Sequence, residues 1–417
     1  MLHLQTSEVL NRWARRALTF HSHENYAPLV KRTIIPIMIE SQLSDPVFVA
    51  EPAALSKMAA EFIGQPYLAV DTESNSLFAY QEQICLMQFS TRTTDYLLDP
   101  LALPDLSLLA PVFADPHTEK IFHASEYDLI CLKRDFDFKF TNIFDTMAAG
   151  RILGRTALSL GSILEEEFGL ELDKRYQRAN WGKRPLTQEM LDYARLDSHY
   201  LIPLRERMDE ALKEAGLREL AQEDFERACK VNVPVTDGNN ENLWRLVKNQ
   251  EINPHQAAVL QELVCYRNRQ AQSADVPPFK VLSNETLMEV ALACPKIATD
   301  FEEISGLTQR NIDRHGKALL RAVQKGLQSP PLYRPSRPRP DEKYMERVDK
   351  LKEWRKLTAR EKKIESDVVL PRDVLEEIAR KNPVCAEDLA PLMTDIPWRL
   401  KKYGSQIIET LKVKEEV

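Results

Sequence analysis

An internal duplication constrains the fold of this chain more than any other feature. Residues 263–323 align without a gap with residues 351–411 at a constant offset of 88, as copies of one structural unit do. Only about a fifth of the aligned positions are identical, so a shared generic helical pattern is the alternative. We predict two small helical domains, because the identical positions include an arginine, a proline and a glycine in each copy: Arg267 and Arg355, Pro295 and Pro383, Gly316 and Gly404.

A proline-rich segment separates the two copies. Residues 330–340 contain five prolines and three arginines. Proline lacks the backbone N–H that a helix or an interior strand requires, so the segment is predicted to be an extended spacer. The predicted organisation is an N-terminal extension (1–37), an α/β domain (38–215), a helical connector (216–245), the first helical copy (246–327), the linker (328–342) and the second copy (343–417).

The first half of the chain has the pattern of an α/β domain, because short apolar runs alternate with helical periods over residues 40–215. The first two predicted strands are close enough in sequence to form a hairpin, so we expect a mixed sheet. Strands are predicted over 67–70, 84–89, 96–98 and 120–123, and helices over 125–134, 158–168 and 187–212.

Charge and hydropathy exclude two classes of protein. The net charge is −7, although basic residues exceed acidic ones by three over 331–417, so the chain as a whole does not have the basic composition of many nucleic-acid binders. Unbroken apolar runs such as residues 34–39 are far shorter than the roughly 20 residues that span a bilayer. We therefore expect a protein with no membrane partner.

The cysteines and the N-terminus indicate the compartment. Six scattered cysteines contain no C-x-x-C pair, which favours a reduced, cytoplasmic location without structural zinc. The first 33 residues include Arg12, Arg15 and Arg16 but lack the apolar run of a secretory signal. A transit peptide, or a natural start at Met38, remains an alternative for this segment.

Paired carboxylates follow the first predicted strand. Asp71 and Glu73 are two residues apart, so on a strand they point to the same face, roughly 7 Å from each other. Both can therefore reach one metal cluster. A D-x-E sequence is common by chance, and by itself it is more typical of a solvated strand end.

Further acids and a tyrosine complete the set. Tyr193 and Asp197 have an i,i+4 spacing that places them on one helix face, Asp128 falls near the start of a helix, and His199 is expected to be structural. Oxygen ligands suit Mg²⁺ or Mn²⁺. Two such ions about 4 Å apart promote in-line attack of water on a phosphodiester. The ordered set therefore indicates metal-dependent phosphodiester hydrolysis.

The motifs resemble the DEDD-type 3′-5′ exonucleases and, among them, the ribonuclease D group. The matching segments are L-A-V-D-T-E over 68–73, C-L-M-Q over 85–88, F-H-A over 122–124 with Asp128, and Y-A-R-L-D-S-H-Y-L over 193–201. The two C-terminal copies resemble HRDC domains. The resemblance covers about residues 40–412 and implies a ribonuclease H-like mixed-sheet exonuclease domain followed by two small all-α HRDC domains. Ser74 departs from it, since many relatives have an aromatic residue there.

The resemblance also implies a role for each residue of the set. Asp71 would bridge two divalent cations, Glu73 and Asp197 would hold the ion that activates water, and Asp128 would support the second ion, partly through water. Tyr193 would orient the attacking water. A tyrosine four residues before the last aspartate places the chain in the tyrosine subgroup.

Several residues are candidates for contact with RNA. Trp181, Lys183 and Arg184 precede the helix of Tyr193 and match a segment typical of ribonuclease D, offering an aromatic surface and two cations to a strand end. The alternative for Trp181 is a ring packed over its loop. Gln88 and His123 stand close to the predicted site, where each could instead satisfy a buried polar group.

A basic stripe is predicted in the first helical copy. Arg310, Arg314, Lys317, Arg321 and Lys325 follow at helical spacings and suit phosphate. The alternatives are a solvated helix face and a helix broken at Gly316.

Three functions compete. The leading hypothesis is a two-metal 3′-5′ exoribonuclease that releases 5′-mononucleotides from RNA with a free 3′ end, as in tRNA precursors and small structured RNAs. The others are a DNA 3′-5′ exonuclease and a non-catalytic RNA-binding adaptor. A helicase is excluded, because the sequence contains no G-x-x-x-x-G-K-[ST] phosphate loop.

Overall fold

The computed structural model describes residues 44–234, 243–248, 250–335 and 341–412. The predicted N-terminal extension over 1–37, part of the connector and the end of the proline-rich spacer lie outside these ranges. The chain forms two compact units. The sheet-bearing unit contains 44–73, 84–233 and 341–412, and the helical unit contains 74–83 and the described residues from 234 to 335.

One mixed sheet organises the sheet-bearing unit. Its order is β1-β4-β3-β2-β5-β6, with β3 antiparallel to β4 and with the pairs β1–β4, β2–β5 and β5–β6 parallel. The predicted mixed sheet is confirmed and β2 lies near its centre. The strands are β1 (Val47–Val49), β2 (Tyr67–Ser74), β3 (Ile84–Ser90), β4 (Asp95–Leu98), β5 (Glu119–Phe122) and β6 (Ile143–Asp145).

Helices cover both faces of the sheet. Leu68 and Val70 of β2 pack with the first three helices, whereas Ala69 of the same strand packs with later helices on the other face, as the two-residue period of a strand requires. The helices are α1 (Pro52–Phe62), α2 (Ala110–Ala114), α3 (Glu126–Phe136), α4 (Thr146–Ile152), α5 (Leu160–Phe168), α6 (Gln188–His199), α7 (Leu201–Glu214) and α8 (Arg218–Ala228).

The helix predicted over 187–212 is two helices. Thr187 caps α6 as expected, since its side chain accepts a hydrogen bond from the Met190 N–H. The break falls at Tyr200, where φ is −91° and ψ is 0°. Pro203 accounts for the break, because it has no N–H to donate to the carbonyl of His199. Tyr193 and Asp197 therefore lie on a short helix that ends at His199, before α7 begins.

The two helical copies have the same internal architecture. The first copy contains α10 to α13 and the second contains α14 to α18, with several helices beginning 88 residues apart. α9 precedes the first copy. The helices are α9 (Leu243–Val247), α10 (Pro254–Ser273), α11 (Pro278–Val281), α12 (Asn284–Ala293), α13 (Gln309–Gln328), α14 (Glu342–Lys362), α15 (Ser366–Val369), α16 (Arg372–Lys381), α17 (Ala386–Leu389) and α18 (Pro397–Lys412).

The matched arginines Arg267 and Arg355 make the same contact in the two copies. The Arg267 guanidinium donates to the Leu282 carbonyl at 3.1 Å, and that of Arg355 donates to the Leu370 carbonyl at 3.0 Å. Each bond joins the first long helix of a copy to the residue that follows its second helix, α11 in the first copy and α15 in the second. The helices α12 and α16 both end in a left-handed residue, Cys294 and Asn382 respectively.

The described residues include no helix that is long and apolar enough to cross a membrane.

Candidate active site

The site begins on the central strand of the sheet. Asp71 and Glu73 stand on the same side of β2 as Ala69, which packs in the core beneath them. Both carboxylates are half-buried. Because β2 has hydrogen-bonded neighbours on both sides, the positions of the two carboxylates are fixed by the sheet rather than by a loop.

Helix α6 brings the third carboxylate. The ligand oxygens of Asp71, Glu73 and Asp197 all lie within 4.8 Å of one another. Tyr193 stands one turn earlier on the same helix and hydrogen-bonds the Asp197 carboxyl. The structure therefore brings together four of the five residues that the motifs indicated, from two elements more than 100 residues apart in sequence.

Asp128 lies beside this group rather than within it. It is buried in the first turn of α3, and it accepts a hydrogen bond from the Thr72 hydroxyl at 2.5 Å. The Asp145 carboxylate fixes the beginning of this helix, because it accepts from the N–H groups of Ala124 at 3.1 Å and Ser125 at 2.7 Å. The sequence analysis gave no role to Thr72, although it lies within the L-A-V-D-T-E segment, and it did not single out Asp145.

Burial dominates the electrostatics of the site, and the crowding of acids adds to it at Asp71 and Glu73. Burial, then the neighbouring Asp197 carboxylate, raises the pKa of Asp71 well above its usual range. Burial, then Asp71, does the same for the pKa of Glu73. Burial raises the pKa of Asp197 to about 7, with the bond from Tyr193 acting in the opposite direction. The protein alone therefore does not stabilise these carboxylates in the charged form.

Such a set fits divalent cations. The donors are all carboxylate oxygens, which Mg²⁺ and Mn²⁺ prefer, and they converge within the span of a coordination sphere. A cation would remove the mutual repulsion that raises the pKa values. Among the described residues, Asp71, Glu73 and Asp197 could therefore hold a divalent metal ion.

The opposite face of α6 is anchored by a buried network. Asp95 on β4 accepts from Arg195 Nη2 at 3.0 Å and lies 3.0 Å from Nδ1 of His199. The Ser90 hydroxyl donates to Asp95 at 2.7 Å and contacts the Ser198 hydroxyl at 2.8 Å. His199 faces this network and not the carboxylates, as its spacing from Tyr193 indicated. These bonds set the rotation of α6 and hence the direction of Tyr193 and Asp197.

Trp181 is placed differently from the exposed surface that the sequence suggested. Its side chain is only 1% exposed, and its ring lies 6.1 Å from that of Tyr193. The alternative reading, a ring packed over its loop, describes its position. A buried ring cannot offer a stacking surface to RNA. Trp181 instead supports the tyrosine.

The two cations after Trp181 also differ from each other. Arg184 binds the Asp99 carboxylate at 2.7 Å and the Cys85 carbonyl at 2.7 Å, so its guanidinium holds the loop against β3 and β4. Lys183 is exposed. Of this pair, Lys183 is the one whose charge faces solvent.

Gln88 and His123 are inside the protein. Gln88 is fully buried, and within the described part of the chain its amide has no hydrogen-bond partner. Nδ1 of His123 lies 2.9 Å from the Thr146 hydroxyl, and burial lowers the histidine pKa. His123 therefore joins β5 to α4 as a neutral hydrogen-bonding residue.

A cavity of about 260 Å³ opens beside Tyr193 and Asp197. Arg175 and Tyr176 line it, and the Tyr176 ring lies 5.8 Å from that of Tyr193. A cation and an aromatic ring next to the carboxylates are the groups that a terminal nucleotide requires. The sequence analysis missed both residues, although K-R-Y over 174–176 could have indicated them.

The predicted basic stripe exists on α13 in the helical unit. The helix is continuous through Gly316, so the alternative of a helix broken at this glycine is wrong. All five basic side chains are exposed, and Lys325 pairs with Glu262 at 2.8 Å. Within the described residues the other four have no carboxylate partner: Arg310, Arg314, Lys317 and Arg321.

Comparison with protein-family models gives two matches. Residues 46–213 match a 3′-5′ exonuclease domain, and residues 256–323 and 345–411 each match an HRDC domain. The matched exonuclease range contains the whole carboxylate set. The two HRDC ranges coincide with the first and second copies.

Among curated proteins, the exosome complex exonuclease RRP6 of Saccharomyces cerevisiae is 29% identical over 326 residues, which are 74% of this chain and 44% of that protein. Exosome complex component 10 of Rattus norvegicus is 35% identical over 251 residues, 58% of this chain and 28% of the rat protein. The chain therefore spans less than half the length of these relatives.

Solved structures show the same fold. The catalytic core of RRP6 from Trypanosoma brucei has a TM-score of 0.60 at 26% identity, covering 72% of this chain and 84% of that one. Escherichia coli RNase D has a TM-score of 0.65 at 24% identity, covering 88% and 99%. On the matched domains and their order, the chain contains a 3′-5′ exonuclease domain followed by two HRDC domains, and the carboxylate set lies in the exonuclease domain.

Proposed function

We propose that the protein is a metal-dependent 3′-5′ exoribonuclease that removes 5′-mononucleotides from RNA 3′ ends. The observation that carries the proposal is the convergence of Asp71, Glu73 and Asp197 with Tyr193 one helical turn away. The domain match supports it, because this arrangement occurs in a domain that matches 3′-5′ exonucleases.

The residues divide the work between binding charge and orienting water. Two divalent cations, when bound, supply the charge that stabilises both the attacking and the leaving oxygen. Asp71, Glu73 and Asp197 would hold them, and we propose that Asp128 would support the second, partly through water. We propose Mg²⁺ or Mn²⁺, since both prefer oxygen ligands.

Tyr193 positions the nucleophile rather than removing its proton. Burial, then the Asp197 carboxylate, raises the pKa of the phenol above its ordinary value. The hydroxyl is therefore neutral at physiological pH and can donate or accept a hydrogen bond. A neutral phenol suits the orientation of a water molecule and does not suit general base catalysis.

The natural substrate is proposed to be RNA with a free 3′ end, in particular tRNA precursors and other small structured RNAs, in the cytoplasm. The support is by similarity. The Escherichia coli relative is described as an exoribonuclease involved in structured RNA processing, and the yeast relative as an exosome complex exonuclease. Lys183, and Arg175 in the cavity, are the proposed contacts to the strand end.

The proposal is tested with a 5′-labelled single-stranded RNA and the matching DNA, incubated with Mg²⁺, Mn²⁺ or EDTA. A ladder that shortens from the 3′ end on RNA alone, and that requires metal, is the expected result. Asp71→Asn should show no ladder. Equal degradation of the DNA would favour a DNA exonuclease, and metal-independent RNA binding without cleavage would favour an adaptor.

A further inference from the structure

The last helix of the second copy is part of the sheet-bearing unit. Arg399 in α18 is fully buried, and its guanidinium lies 2.8 Å from the carboxylate of Glu223 and 2.8 Å from that of Asp224. Both acids belong to α8. The guanidinium also donates to the Val368 carbonyl at 2.9 Å. Arg399 thus has charged and neutral partners on both sides, which a buried cation requires.

The remaining contacts of the second copy extend the same junction. Arg151 of α4 binds Glu365 at 2.6 Å and Asp367 at 2.9 Å. The Val368 side chain is buried in the core cluster that contains Phe144 of the sheet. Because the cluster is continuous across the junction, the second copy is packed as part of a domain core.

The first copy lacks the residues that make these contacts. At the offset of 88, Asn311 stands in place of Arg399, Pro277 in place of Glu365, and Phe279 in place of Asp367. None of the three can form the corresponding ion pair. The shared arginines Arg267 and Arg355 make contacts inside their own copies, whereas Arg399, Glu365 and Asp367 of the docked copy have no counterpart of the same charge in the first.

The basic stripe, in contrast, is present in the first copy and absent from the second. Arg310, Arg314, Lys317 and Arg321 lie on one exposed face of α13. In the second copy the corresponding residues, Trp398, Lys402, Ser405 and Glu409, do not form a stripe. Trp398 packs against hydrophobic cores instead.

We propose that the last helix of each copy, α13 in the first and α18 in the second, has a different partner. In the second copy its start binds the carboxylates of α8 and makes that copy a structural part of the sheet-bearing unit. In the first copy the stripe of α13 binds RNA phosphates. The charges fit both partners, since a buried guanidinium matches two carboxylates and four exposed cations on one face match a phosphate backbone. The second half of the inference rests on the proposed function.

Matched charge reversals test the RNA contact. Arg314→Glu/Lys317→Glu changes the stripe, and Lys401→Glu/Lys402→Glu changes two exposed lysines of α18. Binding of a fluorescent 30-nucleotide RNA is measured by anisotropy in EDTA over a range of salt concentrations. The first variant should bind about tenfold more weakly, with a salt slope lower by about 1 to 1.5. The second variant should bind as the wild type does. Equal losses in both variants, or no loss in the first, would overturn this assignment.

A second pair of variants tests the docking. Arg399→Ala leaves the buried Glu223 and the half-buried Asp224 without their cation and should lower the unfolding temperature by about 6 °C or more. Asn311→Ala, at the corresponding position of the first copy, should change it by about 1 °C or less. An Arg399→Ala protein as stable as the wild type would contradict a structural role for the junction.

The binding and stability readouts are independent of catalysis. If the wild type fails to degrade RNA while the stripe variant still binds more weakly, the exonuclease proposal falls and the division between copies stands. If the wild type degrades RNA while the stripe has no effect on binding, the exonuclease proposal stands and the division falls.

Discussion

At the scale of single residues, Asp71, Glu73 and Asp197 lie close together although burial disfavours their charged forms. Burial raises the pKa values of Asp71, Glu73 and Asp197, and neighbouring carboxylates raise those of Asp71 and Glu73 further. An acid whose pKa is higher in the folded protein than in the unfolded chain binds protons preferentially when folded. Its protonation therefore stabilises the fold as the pH is lowered through the folded-state pKa.

This predicts a pH dependence that metal removes. In EDTA, the wild-type unfolding temperature should rise as the pH is lowered from 8 towards 5.5, a window that contains the Asp197 pKa of about 7. Asp71→Asn removes one charge from the cluster and should flatten this rise. Calorimetry with saturating Mg²⁺ should abolish the wild-type trend. A wild type that loses stability over the same interval, relative to the variant, would contradict the proposed repulsion.

The phenol gives a separate prediction. Tyr193→Phe keeps the ring that packs on Trp181 and Tyr176 but removes the hydroxyl that orients water. We expect the turnover number to fall about 10²-fold, with the KM for RNA and the metal-induced rise in unfolding temperature unchanged. Single-turnover kinetics with a short RNA measure the effect. A variant with wild-type turnover would exclude an orienting role.

At the scale of elements, the position of α6 depends on the buried network that Arg195, Ser198 and His199 form on the helix face opposite Tyr193 and Asp197. Asp95 is buried between Arg195 and His199, and these partners hold its pKa below the usual range despite the effect of burial. Its ionised form therefore contributes stability above pH 4 that is lost as the pH falls through the folded-state pKa. The network holds the helix on β3 and β4.

Asp95→Asn should accordingly cost about 3 kcal/mol of stability, because it leaves Arg195 buried without its carboxylate. It should also lower the turnover number, since α6 carries Tyr193 and Asp197. The control is Glu206→Gln, which breaks an exposed ion pair with Arg92 and should cost less than about 1 kcal/mol. Urea titration measures the free energy of unfolding of both variants. Equal losses of stability would argue against the Asp95 network as the anchor of α6.

The elements also show where sequence patterns sufficed. The strands β2 and β3 and the helix α5 were predicted within a few residues, because their apolar runs are long enough to show a period. The three-residue strands β1 and β6 were missed, since three positions cannot display alternation. The break between α6 and α7 was missed, although Pro203 was visible, because helical periodicity continues across it.

At the scale of the whole molecule, the second copy completes the core of the sheet-bearing unit. Deletion of residues 341–417 would expose the surface that Val368 covers and leave Glu223 and Asp224 without Arg399. We expect the truncated protein to unfold at a temperature lower by about 10 °C or more and to lose cleavage of even a short RNA at 37 °C. Thermal unfolding and a ladder assay at two temperatures test this. Full activity and stability of the truncated protein would show that the copy is dispensable.

The sequence by itself indicated the chemistry and the repeat. The ordered set of acids with Tyr193 and its resemblance to exonuclease motifs pointed to Asp71, Glu73 and Asp197, since spacing places such pairs on one face of a strand or a helix. The duplication follows from a constant offset of 88 residues.

Only the tertiary structure decided the burial of Trp181, the pairing of Asp128 with Thr72, and the copy that docks on α8. These properties depend on contacts between distant residues, as between Glu223 and Arg399, which lie 176 positions apart. A spacing along the chain does not encode such a distance, so the division between the two copies became visible only when their surroundings could be compared.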